Sequence, residues 1–138
     1  MKHAIALVTA LALGALVPST SAGAAQTGGL SACDYQASYG GIPCGEVDRA
    51  ITEAAAEFAV DETRLRQIVR CESTFDPYAT NGQYKGLFQQ ASSYWGGRVS
   101  EFNANVDPDV PGDAYHPFDN ARVSARMLSS GTDHWPNC

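Results

Sequence analysis

Three stretches of the chain repeat apolar residues at helical spacing, and none alternates convincingly as a strand would. Val47, Ile51, Ala54 and Phe58 recur at intervals of three and four with charged residues between them, which predicts an amphipathic helix of about 14 residues beginning at Glu46. Asp61 suits the N-cap of a second helix, with Glu62 in its first turn, Leu65, Ile68 and Val69 as its apolar stripe, and Arg64, Arg66 and Arg70 on its other side. That helix cannot run past Asp76, because Pro77 disfavours helical geometry in the residue before it. Residues 78–83 read as a turn around Asn81 and Gly82, followed by Gly86-Leu87-Phe88-Gln89-Gln90 and a short segment ending near Trp95, Gly96 and Gly97. An irregular stretch rich in Pro and Asp occupies 103–116. Pro117 then opens a last helix with the stripe Phe118, Ala121, Ala125 and Leu128, stopped by Gly131. No internal repeat is visible, and the expected fold class is mainly α.

The longest apolar run is different in kind. Residues 4–17 are small and apolar, preceded by Lys2 and His3 and followed by Pro18 and further small residues, the pattern of a secretory signal peptide over residues 1–24. The run is about 14 residues, short of the ~18 to 20 that span a bilayer. The expectation is therefore an exported, soluble protein, with a flexible leader and disulfide loop at 25–45 and one small domain at 46–138.

Charge and cysteine content narrow the partners. Loss of Lys2 with the signal leaves 8 basic residues against 15 acidic ones and no basic cluster, which speaks against nucleic acid and against anionic membrane surfaces. All four cysteines, Cys33, Cys44, Cys71 and Cys138, lie in the exported part, so two disulfides are expected. Three connectivities are open. The preferred one joins Cys33 to Cys44 around a short Gly-rich loop and Cys71 to Cys138 across a long one. A zinc site lacks a Cys-x-x-Cys pair or a nearby His.

The candidate chemistry begins with one carboxylate. Positions 65, 68, 69 and 72 form the i, i+3, i+4, i+7 pattern of a buried helical face, and the fourth place is held by Glu72. A carboxylate on an apolar stripe must be paired, open to a cleft, or kept protonated, and the negative end of the helix dipole adds to the pressure for protonation. A carboxyl group protonated near neutral pH is what a glycosidic general acid requires. Periodicity alone is met as well by a glutamate that snorkels out at the helix end or pairs with Arg70 or Arg126.

The surrounding residues add a resemblance. Cys71-Glu72-Ser73-Thr74-Phe75-Asp76-Pro77-Tyr78-Ala79, followed by Gly86-Leu87-Phe88-Gln89, resembles the Glu-Ser-x-Phe-x-Pro-x-Ala and Gly-Leu-(Met/Phe)-Gln pair of the soluble lytic transglycosylase and goose-type lysozyme family. Asn120-Ala121 through Leu128 is similar to that family's helix after the active-site loops, and the likeness covers roughly residues 47–130. The resemblance implies a small lysozyme-like helical domain. It also implies that Glu72 protonates the glycosidic oxygen between N-acetylmuramic acid and N-acetylglucosamine in peptidoglycan glycan strands. The same carboxylate then acts as base on the muramoyl 6-hydroxyl, giving a 1,6-anhydro product, or on water.

By the same resemblance Ser73 is expected to hydrogen-bond within the site, Gln89 to line the sugar groove and Gly86 to allow close backbone approach to the sugar. The plainer alternatives are that Ser73 bonds its own helix, Gln89 closes a turn and Gly86 makes that turn. Pyranose C–H surfaces stack on aromatic rings, so Tyr84, Tyr94, Trp95 and Tyr115 are groove candidates, with Trp95 and Phe88 equally suited to the core. Trp135 is expected to pack the segment tethered by Cys138.

Two features depart from the family pattern. Its Ala-Tyr-Asn motif, whose tyrosine helps position the glutamate, has no counterpart after Leu128, which leaves that role to another residue such as Tyr115 or to none. The short end is similar to compact, disulfide-closed versions of actinobacterial type, including resuscitation-promoting factors. No second carboxylate has a spacing that singles it out among Asp76, Asp107, Asp109, Asp113 and Asp119, which favours a one-glutamate transglycosylase over a two-carboxylate muramidase. Asp107-x-Asp109 with Gly112-Asp113 suggests a calcium loop but fails as an EF-hand, with Pro111 at the fifth-ligand place and Phe118 where the terminal Glu belongs. The expectation is thus a monomeric enzyme with no metal or other cofactor, and the competing readings are a hydrolytic muramidase, a non-catalytic wall-glycan binder, and a disulfide scaffold acting on a protein partner.

Overall fold

Asp61 starts its helix as the sequence predicts: its carboxylate accepts from the free N–H groups of Thr63 (2.8 Å) and Arg64 (3.4 Å). The computed structural model describes residues 29–138, so the expected signal peptide and the first part of the leader lie outside the described residues. Four helices carry the fold, α1 at Cys44–Phe58, α2 at Glu62–Ser73, α3 at Ser92–Asn105 and α4 at Pro117–Ser129. The domain is mainly α, and the disulfides are Cys33–Cys44 and Cys71–Cys138.

Helix α1 packs chiefly on α4, and the apolar stripes meet as periodicity requires. Val47, Ile51 and Ala54 of α1, Leu65, Ile68 and Val69 of α2, and Ala121 and Ala125 of α4 are all fully buried in one core with Phe75, Leu87 and Phe88. A smaller cluster holds Trp95, Phe102, Val110 and Val123.

Five two-residue strands were not legible as strands, since two residues are too short to show alternation. β1 (Ser38–Tyr39) and β2 (Ile42–Pro43) form a hairpin inside the Cys33–Cys44 loop. β3 (Thr80–Asn81), β4 (Tyr84–Lys85) and β5 (Gln90–Ala91) form an antiparallel sheet with Asn81 opposite Tyr84 and Tyr84 opposite Ala91. The turn between β3 and β4 uses Gly82 at φ 59°.

Two expectations are corrected. The segment expected to end near Gly97 continues as α3 to Asn105, straight through Gly96 and Gly97. Two mid-helix glycines disfavour this by about 1 kcal/mol each, but Trp95 and Phe102 lie seven residues apart on one face, and their burial on Val110 and Val123 outweighs the propensity. Arg66, expected on the polar side of α2, is buried. Its guanidinium is taken up by Asp48 (2.6 Å), Glu62 (2.7 Å), Thr52 (3.0 Å) and the Leu30 carbonyl (3.0 Å). Asp48 in turn accepts from the Ser31 hydroxyl (2.6 Å) and the Ala32 N–H (2.9 Å), so this network ties the segment before α1 to both helices.

Candidate active site

Helix α2 ends where its chemistry begins. The buried stripe of Leu65, Ile68 and Val69 points Glu72 to the same side, but one turn beyond the core that face opens into a cleft of about 670 Å³. Thr74 then leaves the helix in the left-handed region at φ 51° and Phe75 follows at φ 63°, which turns the chain sharply and sinks the Phe75 ring into the core. Such backbone costs of order 1 kcal/mol or more per residue and persists because the core holds Phe75. Gln89, across the cleft, is a third left-handed residue, at φ 47°.

Glu72 is partly buried, and among the described residues no Lys, Arg or His nitrogen lies within 4.0 Å of its carboxylate. The alternative pairing with Arg70 or Arg126 is therefore not made. Burial pushes the Glu72 carboxyl above the ordinary glutamate range, with no partner charge opposing it. Its polar neighbour is the Cys138 sulfur, 3.1 Å from Oε1. That sulfur is bonded to Cys71 and has no proton to give, so a hydrogen bond there requires the proton on Glu72. The neighbourhood thus favours the acid form.

The cleft is walled by Tyr84, Gln89, Tyr94, Arg98 and Trp135. Successive residues of β4 face opposite ways, so Tyr84 points into the Glu72 cleft while Lys85 lines a separate cavity of about 260 Å³. Tyr94 is exposed at the cleft edge, and Arg98, one helical turn on, stacks over its ring at 5.5 Å. Trp135 is buried, packs edge-on against Phe88 (centroids 5.6 Å) and donates to the Phe88 carbonyl at 2.9 Å, so it both anchors the tethered segment and forms cleft wall.

The other expected site residues fall differently. The Ser73 hydroxyl donates to the Val69 carbonyl (3.1 Å), so it bonds its own helix. Gln89 lines the cleft, but its amide donates to the carbonyls of Ala79 (3.1 Å) and Gly86 (2.9 Å) and so holds the wall in place. Gly86, at φ 76°, is required by the fold itself: a Cβ there would meet the Ala114 carbonyl at 2.1 Å and the Asn120 amide at 2.5 Å. Tyr115 is not brought to Glu72. It follows a turn capped by Asp113, bonds the Thr80 hydroxyl (3.2 Å), stacks on Tyr78 and lines the Lys85 cavity, as does Trp95.

No second carboxylate lines the cleft among the described residues. Asp76 caps the Tyr78 N–H, Asp107 pairs with Arg122 (2.9 Å), Asp113 accepts from Tyr115, and Asp119 accepts from Gly112 and Asp113 (3.0 Å each). Among the described residues one trio of His, Cys, Asp or Glu atoms is close enough to hold a metal, Cys71, Glu72 and Cys138, and its two sulfurs are consumed by their own bond.

Sequence reasoning missed Asn120, Gln90 and Arg98. Asn120 is fully buried, accepts from the Phe88 N–H (2.9 Å) and donates to the Ala114 carbonyl (2.9 Å), clamping the Gly86–Gln89 turn to the loop before α4. Gln90 is buried on the Ser124 hydroxyl (2.7 Å) and accepts from Arg98. Arg98 was hidden by the expected end of the short segment near Gly97; once α3 runs on to Asn105, its spacing of four from Tyr94 is the signal.

A comparison with family models matches residues 49–137 to the transglycosylase SLT domain. The chain belongs to the transglycosylase SLT domain family. No curated protein and no solved structure matches it. The match runs from within α1 to the Trp135 segment, and so includes Glu72, the β3–β5 sheet and every residue named as cleft wall. Membership in the SLT family makes the chain, in general terms, a glycosidase of the peptidoglycan lytic transglycosylase type.

Proposed function

We propose that this protein is an exported lytic transglycosylase that cleaves the β-1,4 bond between N-acetylmuramic acid and N-acetylglucosamine, with Glu72 as its single catalytic carboxyl. The observation that carries this reading is the setting of Glu72: the one carboxyl group lining the cleft among the described residues, partly buried, with no cation beside it and raised in pKa by burial. Such a group is protonated where an ordinary glutamate is not, which suits general acid work.

In the first half of the reaction the Glu72 proton passes to the glycosidic oxygen as its bond to muramoyl C1 breaks, releasing the 4-hydroxyl of N-acetylglucosamine. Positive charge at C1 is shared by the substrate's own acetamido oxygen, the role that a second carboxylate fills in other glycosidases. The Glu72 carboxylate then removes the proton of the muramoyl 6-hydroxyl while that oxygen attacks C1. This closes the 1,6-anhydro ring and leaves Glu72 protonated for the next cycle. Water in place of the 6-hydroxyl gives hydrolysis by the same first step.

The exposed face of Tyr94 and the ring of Tyr84 offer surfaces on which pyranoses stack. Export rests on the signal-like pattern of residues 1–24. The test is to incubate the purified protein with peptidoglycan sacculi and weigh the soluble products. Anhydromuramoyl ends are expected; reducing muramoyl ends would make the enzyme a muramidase, and no soluble product would refute both.

A further inference from the structure

One end of the Glu72 cleft is basic in a protein whose net charge is −6. Arg98 and His134 line the cleft and also a second hollow of about 150 Å³ that continues from it, where they are joined by Arg126, Ser130 and Thr132. Arg98 and Arg126 have no carboxylate within 4.0 Å among the described residues, as is also true of the exposed Arg70 outside the cleft, whereas Arg49, Arg64, Arg66 and Arg122 each have one. Glu101 is the one acid on the hollow, and it pairs with neither arginine.

Arg98 is held, not loose. Its guanidinium donates to the side-chain amide oxygen of Gln90, the Gln90 amide nitrogen donates to the Ser124 hydroxyl, and that hydroxyl donates to the Asn120 backbone carbonyl (2.7 Å). Tyr94 flanks the guanidinium from the solvent side of the cleft. Burial pushes Arg98 below its ordinary range, the direction expected of a cation short of counter-charge. A fixed, partly buried guanidinium with donors to spare is suited to a planar carboxylate.

We infer that Arg98, together with Arg126 and His134, forms a carboxylate-recognition subsite at the end of the Glu72 cleft and makes the enzyme select glycan that carries a free carboxylate on its muramoyl units. This rests on the proposed glycan-cleaving function. Muramoyl units offer that chemistry from two sources: the lactyl carboxylate, which is free when the stem peptide has been removed, and the carboxylates of the stem itself.

The experiment uses glycan strands of two kinds, denuded and stem-bearing, each with carboxylates free or converted to methylamides. Wild-type protein should cleave the free form at least about tenfold faster than the methylamide in one of the two kinds, and that kind identifies the source. Arg98→Gln should lose the preference, and Arg98→Lys should keep part of it. Arg126→Gln, which leaves the Gln90 contact intact, should reduce the preference without affecting folding. Calorimetric binding of the same four glycans to Glu72→Gln protein reads the preference independently of turnover. Equal rates and equal binding on free and amidated glycan, or an Arg98→Gln defect of the same size on all four, would overturn the inference. Failure of wild-type protein to release any product, with the binding preference intact, would instead overturn the catalytic reading and leave the subsite standing.

Discussion

The Glu72 carboxyl lies 3.1 Å from the Cys138 sulfur, so the residue that closes the long disulfide also touches the candidate acid. The contact has a sign. A disulfide sulfur accepts but cannot donate, so it welcomes the protonated form and does nothing for the ionised one.

Glu72 therefore opposes stability once ionised. Its folded pKa is raised by burial, so its contribution to stability is fully present below the ordinary glutamate value and is lost as pH rises through the folded value. Glu72→Gln has no such loss. Thermal melts across pH should show Glu72→Gln matching the wild type in acid and melting above it through neutrality. A variant that melts below the wild type at neutral pH would show that the carboxylate is stabilised where it sits.

The two disulfides should differ in weight. Loop-closure entropy assigns about 4 kcal/mol to Cys71–Cys138, which spans 67 residues, and about 3 kcal/mol to Cys33–Cys44, which spans 11. Removing the first as a double serine variant also frees the segment that carries Trp135, a cleft wall. Denaturant titration should rank the variants in that order, and glycan cleavage should fall at least about tenfold only for Cys71→Ser/Cys138→Ser. Comparable loss of cleavage in the Cys33→Ser/Cys44→Ser variant would contradict this division.

Asn120 and Gly86 hold the cleft wall from behind. Asn120→Leu leaves the Phe88 N–H and Ala114 carbonyl buried and unpaired, at a cost of about 2 to 4 kcal/mol. Gly86→Ala drives a methyl into the Ala114 carbonyl at a positive φ and should cost at least about 2 kcal/mol. The measurement is chemical denaturation of both single variants and the double; because they share the same contact, the double should cost less than the sum.

Asp48 neutralises a buried guanidinium. Burial alone would raise its carboxyl, but the hydrogen bonds from Ser31, Ala32 and Arg66 outweigh burial and hold it below the ordinary aspartate range. Its stabilisation is present above the unfolded value and is lost as pH falls through the folded one. Asp48→Ala leaves Arg66 with Glu62 as its one carboxylate partner and should cost about 1 to 3 kcal/mol at neutral pH, and less in acid. Double replacement of Asp48 and Arg66 by apolar residues should recover part of that loss.

The helical skeleton was legible because three stripes obeyed one period and Asp61 and Pro117 marked two starts without ambiguity. Glu72 was legible twice, as the fourth member of the Leu65 stripe and within its motif. What was not legible depends on contacts distant in sequence. Gly96 and Gly97 argue locally against a helix that Trp95 and Phe102 secure only by meeting Val110 and Val123. Arg66 reads as surface until Asp48, 18 residues away, turns it inward. Tyr115 reads only as a candidate groove aromatic, and its place against Thr80 and Tyr78, beside the Lys85 cavity, is set by Asp119 and Asp113. Gly86 reads as a turn or a point of close approach, and that the Ala114 carbonyl and the Asn120 amide crowd its missing side chain appears only in three dimensions.

If Glu72 supplies the proton that breaks the glycan strand, as proposed, its replacement by Gln must abolish product release. Wild-type protein and Glu72→Gln are incubated with the same sacculi, with circular dichroism and sedimentation with insoluble wall as controls for folding and binding. Soluble anhydromuramoyl products are expected from the wild type, with retained fold and wall binding in the variant and release reduced by at least about a hundredfold. Release by a folded Glu72→Gln protein at the wild-type rate would contradict it.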